Sequence, residues 1–428
     1  MNELSSLGLI LFMALLTGRI ARAVRLPEVT GYILAGIALS PSALGWISNS
    51  NLQTLHVMSQ VALGMILFSI GSALDLTHFR GMGRSIVLLS VVEAALTGIV
   101  VTTVMLALGL DWRIALILGC ISMSTAPAAT MMVVREQNAS GPLTDAIVSV
   151  VAINKVVVLV AFSLVAAVVT LGQGLSGSQA VHAVIGESAY WLFWELLGSA
   201  ALGFLVGLLL AGWGSTLTEH GEAQILLAGS VLFCIGVSLA LHLSPLISSM
   251  AIGVTVVNLS GTGQRMAAAL SRFDPPIYAM FFVIAGAGIH LDRLTGLGVA
   301  GLMFIAARAL GKVAGFRIGG NRLGFSPQVA SLLGVAMLSL ADLAVGLTIE
   351  VARRFPDIQE SVAAIVLGAV AFYETLGPIG TRAALLRSRE SSPESKLQDA
   401  ATEPAGNPAE AASFFPKSPA DQAEAQRT

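Results

Sequence analysis

The sequence predicts an all-α polytopic membrane protein of about 13 transmembrane helices, folded as inverted repeats with two interrupted helices that cross. Three observations predict it. Apolar residues make up 55% of the 428 and charged residues only 11%, against roughly a quarter charged in an ordinary soluble protein; a water-soluble globule is excluded. A hydrocarbon core about 30 Å thick needs about 20 apolar residues per helix, and that ruler divides the chain into about thirteen segments. Similar segments recur seven spans apart, and an odd separation reverses their orientation in the membrane.

The first segment, residues 4–20, follows Met-Asn-Glu and lacks the leading positive charge and the small-residue cleavage site of a secretory signal, so it is expected to be retained. The second, 28–46, is short and rich in Gly, Pro and Ser (Glu28-Val-Thr-Gly-Tyr-Ile-Leu-Ala-Gly-Ile-Ala-Leu-Ser-Pro41). The third, 54–75, holds Leu67-Phe-Ser-Ile-Gly71 and then Leu74-Asp75, and the fourth, 84–108, carries the embedded acid Glu93. The fifth, 112–134, contains Ser122-Met-Ser-Thr-Ala-Pro-Ala-Ala-Thr130; Pro127 lacks an N–H and small polar residues surround it, so the helix is expected to break at its centre. Backbone groups freed there, with Thr125, could coordinate an ion.

The sixth segment, 143–171, places Asn154 and Lys155 halfway along an apolar helix, with Asp145 near its inner end. The seventh, 186–213, carries Glu195, and the eighth, 223–242, is uninterrupted. The ninth, 245–258, is short like the second, and the tenth, 274–291, repeats the third with Phe281-Phe-Val-Ile-Ala-Gly286 and then Leu291-Asp292. The eleventh, 295–316, has Arg308 and Lys312 four apart on one helical face. The twelfth, 327–352, contains Met337-Leu-Ser-Leu-Ala-Asp-Leu-Ala-Val-Gly346, setting Asp342 near the midplane as the counterpart of the broken fifth span. The thirteenth, 359–385, carries Glu374.

An odd number of spans puts the termini on opposite sides. With the N-terminus outside, the inner loops hold thirteen arginines between Arg19 and Arg389 and the outer loops only Arg113, Arg293, Arg353 and Arg354, so the expected topology is N-out, C-in. Trp46, Trp112 and Trp213 fit interfacial belts. Residues 1–385 form the expected membrane domain, and 386–428, polar and rich in Pro and Ala, a disordered cytoplasmic tail. The formal charge of −2 gives no basis for nucleic acid binding. Cys120 and Cys234 form no CxxC or zinc spacing, and no two of the six histidines share metal-ligand spacing. With no phosphate loop, metal cluster or nucleophile–base pair, an enzyme is disfavoured and no cofactor is expected.

Ionisable groups at mid-depth are expensive and therefore carry the functional expectation. Lys155 must be paired or deprotonated there, as a structural ion pair or as a proton carrier. Counted from residue 295, Lys312 lies roughly 25 Å deep, where it could snorkel inwards or line an inner cavity. Glu374 is a candidate partner for Arg308.

At these residues the chain resembles the monovalent cation:proton antiporter-2 family, over about residues 5–388. The matching stretches are Leu26-Pro-Glu-Val-Thr-Gly-Tyr-Ile-Leu-Ala-Gly, Ser124-Thr-Ala-Pro-Ala-Ala-Thr, Gly141-Pro-Leu-Thr-Asp145, Ser244-Pro-Leu-Ile, Phe281-Phe-Val-Ile-Ala-Gly-Ala and Ala307-Arg-Ala-Leu-Gly-Lys312. The resemblance implies a homodimer with a dimer-forming domain and a moving core domain, and an ion and proton site beside Asn154 and Lys155, where the family usually has an acidic pair. It also implies that Lys312 is the family's core lysine. The departure at Lys155 leaves Lys155 and Lys312 against Asp342, a net +1 that would repel a cation. The expected resolution is that Asp342 has become the acidic group and a lysine titrates against it, so that Na+ or K+ is exchanged for protons. The rivals are an anion or organic-acid transporter that has lost cation coupling and a transport-inactive regulatory homologue.

Overall fold

In the computed structural model the described residues are 3–72, 76–172, 193–214, 220–260, 274–289 and 298–390, with Tyr190 and Gly263. Leu74-Asp75, Leu291-Asp292, His182, His290 and the tail from 391 onward lie outside them. Within them run α1 (Glu3–Ala23), α2 (Glu28–Leu39), α3 (Asn49–Ser72), α4 (Leu76–Ala107), α5 (Trp112–Ser122), α6 (Pro127–Glu136) and α7 (Pro142–Gly172). A π-helical turn over Trp194–Gly198 leads into α8 (Ser199–Gly214), followed by α9 (His220–Ala240), α10 (Pro245–Leu259), α11 (Asp274–Ala287) and α12 (Gly298–Arg322). The last three are α13 (Pro327–Ala336), α14 (Asp342–Arg354) and α15 (Gln359–Arg387). Eight helical stretches are long and apolar enough to cross a membrane, and five shorter apolar helices stand where the other five segments were expected. Phe12, Leu209, Ile225 and Phe233 are exposed on the outside of the bundle, as a lipid-facing surface requires.

Local chemistry sets the helix starts. Pro127, Pro245 and Pro327 each open a helix, where the missing N–H costs nothing, and Ser244 and Ser326 cap the last two by accepting from Ile247 N and Val329 N. Asp111 caps α5 through Arg113 N at 2.8 Å, and the Arg113 side chain bonded to it holds its carboxyl below the usual range.

The two halves repeat one close helix contact. Helix α2 packs on α11 so closely that a Cβ on Gly36 would lie 2.1 Å from Val283 O, and one on Gly286 would lie 2.3 Å from Ile33 O. The same contact recurs between α3 and α10, with Gly71 2.1 Å from Met250 O and Gly253 2.1 Å from Phe68 O. A shift of 217 residues takes Ile33 and Gly36 to Met250 and Gly253, and one of 215 takes Phe68 and Gly71 to Val283 and Gly286. The inverted repeat is thus written in paired glycines that let backbones touch where lipid offers no hydrophobic drive for helix association.

A methyl group at any of these four positions meets carbonyl oxygen, which no rotamer change relieves. Gly71→Ala is expected to lower thermal stability by about 1–3 kcal/mol or to abolish monodisperse protein, while Gly236→Ala, with nothing within 4 Å, leaves both unchanged. Size-exclusion profiles and melting in detergent check this; equal behaviour of the two variants would refute the close packing.

Candidate functional site

Both interrupted helices break as expected, and the breaks meet. Between α5 and α6, Pro127 removes an N–H and drives Ala126 into an extended conformation (φ −83°, ψ 110°). Between α13 and α14 residues 337–341 are non-helical without any proline. Ala126 N donates to Ser339 O at 3.0 Å, and the Thr125 hydroxyl lies 3.5 Å from Met337 O.

Such breaks leave carbonyl oxygens at the ends of α5 and α13 without helical donors. Arg308, fully buried on α12, supplies them. Its guanidinium donates to Ser122 O at 3.0 Å and Ser124 O at 2.7 Å on one break, and to Leu338 O at 2.6 Å and Ser339 O at 3.2 Å on the other. It also stacks 4.3 Å above the ring of Tyr373, whose hydroxyl donates to Ile305 O at 2.5 Å. A cation is well placed there, because the negative ends of two helix dipoles converge on it. The ion pair expected between Arg308 and Glu374 is not among these bonds; Glu374 is buried on α15, and backbone carbonyls take the guanidinium instead.

One turn on, Lys312 Nζ lies 2.8 Å from Glu93 Oε1 and 3.1 Å from Met123 O, with both side chains fully buried. The depth counted from residue 295 placed Lys312 near the inner surface; it is instead sealed at the crossing. The reason is the approach of α12 to α4, where a Cβ on Gly311 would lie 2.9 Å from Thr97 Cα and one on Gly315 2.9 Å from Glu93 Cα. Thr97 donates to Glu93 Oε1 at 3.0 Å, and Asn154 Nδ2 donates to Met123 O at 3.1 Å, which brings the sixth span to the same carbonyl. Glu93 Oε2 and Asn154 Oδ1 are buried and accept no hydrogen bond from the described residues.

Glu93 is thus a member of the crossing that sequence reasoning left out of the site. A signal existed: Ser90, Glu93 and Thr97 are all buried and spaced as one helical stripe on an otherwise apolar span. The charge inventory changes in membership but not in sum. By residue identity alone, with Asp342 counted only from its place at the start of α14, Arg308, Lys155 and Lys312 stand against Glu93 and Asp342, which again leaves one positive charge in excess.

Of the remaining expected residues, Thr125 and Pro127 lie in the first break, and Asp342 is the first residue of α14, its side chain outside the described set. Asp145 is exposed in the first turn of α7, nine residues and roughly 14 Å along the helix from Asn154, so it lies outside the crossing. Lys155 is half-buried and lines a cavity of about 650 Å³ together with Glu195, His242, Glu350, Arg353 and Arg354. Those five come from the end of the bundle that bears the chain's N-terminus. A second space of about 10 Å³, room for one water, is lined by Lys155, Thr125 and Pro127. Lys155 thus stands between the open cavity and the first break. Among the described residues no cluster of His, Cys, Asp and Glu could hold a metal ion.

The model of the transmembrane sodium/hydrogen exchanger family matches residues 8–386. The chain belongs to that family. Among its relatives is the ammonium/H(+) antiporter subunit AmhT of Alkalihalophilus pseudofirmus, 22% identical over 80% of this chain and 85% of that protein. The iron transporter MagA of Paramagnetospirillum magneticum is 32% identical over 33% of this chain and 31% of its own. Two structures of the sodium proton antiporter MjNhaP1 from Methanocaldococcus jannaschii share the fold. The one at pH 8 has a TM-score of 0.65 at 16% identity, covering 92% of this chain and 96% of its own. The electron-microscopy one has a TM-score of 0.72 at 15% identity, covering 94% and 99%. In this exchanger Lys155 lines the open cavity.

Proposed function

We propose that this exchanger moves a monovalent cation, Na+ or K+, against protons across the cell membrane, as a homodimer with its N-terminus outside and its C-terminus cytoplasmic. The observation that carries the reading is the buried meeting of two broken helices beside an open cavity: the cavity reaches Lys155 from the N-terminal end. A carrier that alternates its access needs a site closed to one side while open to the other. In this reading Asn154 and Thr125 offer neutral oxygens to the ion, Pro127 opens the backbone beside them, and Asp342 provides a carboxylate at the entrance of α14. Arg308 holds the architecture, and Asp145 and Glu374 act in the approach path or in the frame. The relative named an ammonium/H(+) antiporter subunit adds NH4+ to the ions worth testing.

The test is proton flux in proteoliposomes across Na+, Li+, K+ and NH4+ at several pH values, for the wild type and Asp342→Asn. Cation-dependent flux is expected in the wild type and is expected to vanish in the variant. An unchanged flux and pH dependence in Asp342→Asn would remove Asp342 from the mechanism, and a wild type silent to every cation would remove the exchange itself.

A further inference from the structure

A site with three basic side chains and one acid would repel the ion it is meant to bind, and Asp342 alone does not redress that balance. The second acid is already at the crossing. Glu93 Oε1 takes the Lys312 ammonium at 2.8 Å and the Thr97 hydroxyl at 3.0 Å, while its Oε2 is buried and takes nothing from the described residues. Across the same ammonium lies Met123 O at 3.1 Å, and on that carbonyl sits Asn154, whose Oδ1 is also buried without a donor. Lys312 Nζ is therefore a cation held by a carboxylate oxygen and a carbonyl oxygen, with two more oxygens nearby that have no partner. Buried oxygens are rarely left so, because an acceptor without a donor is costly. The charged side chains that helices packed on α4 bring to this level are Arg308 and Lys312 from α12 and Lys155 from α7; α5 carries only Arg113, at its far end.

We propose that Glu93, Met123 O and Asn154 Oδ1 form a monovalent-cation site that the Lys312 ammonium occupies until the transported ion displaces it. The inference rests on the exchange reading and assigns its proton. One Nζ–H bond of Lys312 breaks, the proton passes to water admitted with the ion, and the lone pair stays on the neutral amine. The cation then takes the ammonium's place on Glu93. One positive charge leaves and one arrives, so the crossing keeps its single excess charge and the exchange is one for one. Arg308 cannot take this part, since its donors are committed to four carbonyls. A purely structural Glu93–Lys312 pair would instead leave ion binding untouched when both partners become neutral.

The deciding variant is the full-length double substitution E93Q/K312Q, because a buried pair removed as a pair is far better tolerated than one broken on a single side. Two readouts are needed: cation-dependent proton flux in proteoliposomes, and the rise in melting temperature on adding Na+ or K+ in detergent, which reports binding without transport. The double variant is expected to melt near the ion-free wild type, to lose the cation-induced rise and to lose flux, an apparent affinity loss of roughly a hundredfold or more. Glu93→Asp keeps the charge on a shorter arm and is expected to raise the apparent KM for the cation at near-normal maximal flux. A double variant that retains wild-type flux and the wild-type rise, or a Glu93→Asp protein with an unchanged KM, overturns the proposal. Each of these outcomes requires a transporting wild type, so they are distinct from a failure of the exchange reading.

Discussion

Arg308→Met is expected to leave little folded protein. Four carbonyl oxygens from two broken helices converge on one guanidinium, and methionine fills much of the volume while donating nothing. Ser339 O keeps its bond from Ala126 N, and each of the other three buried acceptors left without a donor costs about 1–3 kcal/mol, a sum that reaches into the whole stability of an ordinary domain, about 5–15 kcal/mol. Arg308→Lys should fall between, since an ammonium has three donors and no planar fork. Tyr373→Phe serves as the control: it loses one hydroxyl bond, to Ile305 O, and keeps the ring under the guanidinium, for an expected cost of about 1 kcal/mol. Yield of monodisperse protein and melting temperature in detergent order the three variants. An Arg308→Met protein that melts with the wild type would mean that the crossing is held by something else.

The second large effect is functional. Lys155→Asp puts a carboxylate where the resemblance leads one to expect it and turns the crossing from one positive charge in excess to one negative. Two unit charges 4 Å apart interact by about 4 kcal/mol at an effective dielectric constant near 20. Lys155 is only half-buried and lines an open cavity, so water screens much of that. A tightening of cation binding by about tenfold to a hundredfold is the expected remainder. It should appear as a lower apparent KM for the cation and as a larger cation-induced melting shift. A variant whose ion dependence equals that of the wild type would place Lys155 off the ion's path.

Which parts of this molecule can be read from its sequence follows from the range of the forces concerned. The segments were legible because bilayer thickness is a ruler applied locally, and the first break because Pro127 lacks an N–H wherever it sits. The second break, without a proline, was visible only as the counterpart of the first. The ion pair of Glu93 and Lys312 joins residues 219 apart, and it depends on Gly311 and Gly315 letting α12 lie against α4. Residue identities give the two charges and not that approach. Likewise, nothing in the neighbourhood of Arg308 announces that its partners are backbone atoms, since a carbonyl leaves no mark in the sequence. The last helix also runs past residue 385, the expected end of the thirteenth segment. Helix α15 continues to Arg387, and the Glu390 carboxylate then caps α7, accepting from Leu143 N at 2.7 Å and from Thr144 N at 2.8 Å.

The anchoring of both breaks on Arg308 also bears on how such a protein can change over time. Every one of its four acceptors is main chain, so the side chains of Ser122, Ser124, Leu338 and Ser339 are not the objects of recognition, and substitutions there leave the anchor's oxygens in place. Scaffold and cargo chemistry are therefore separable: one arginine maintains the frame, and side chains around it can change without removing its acceptors. A lysine can therefore stand where the resemblance leads one to expect an acid and still be presented from the same helix to whatever enters the cavity.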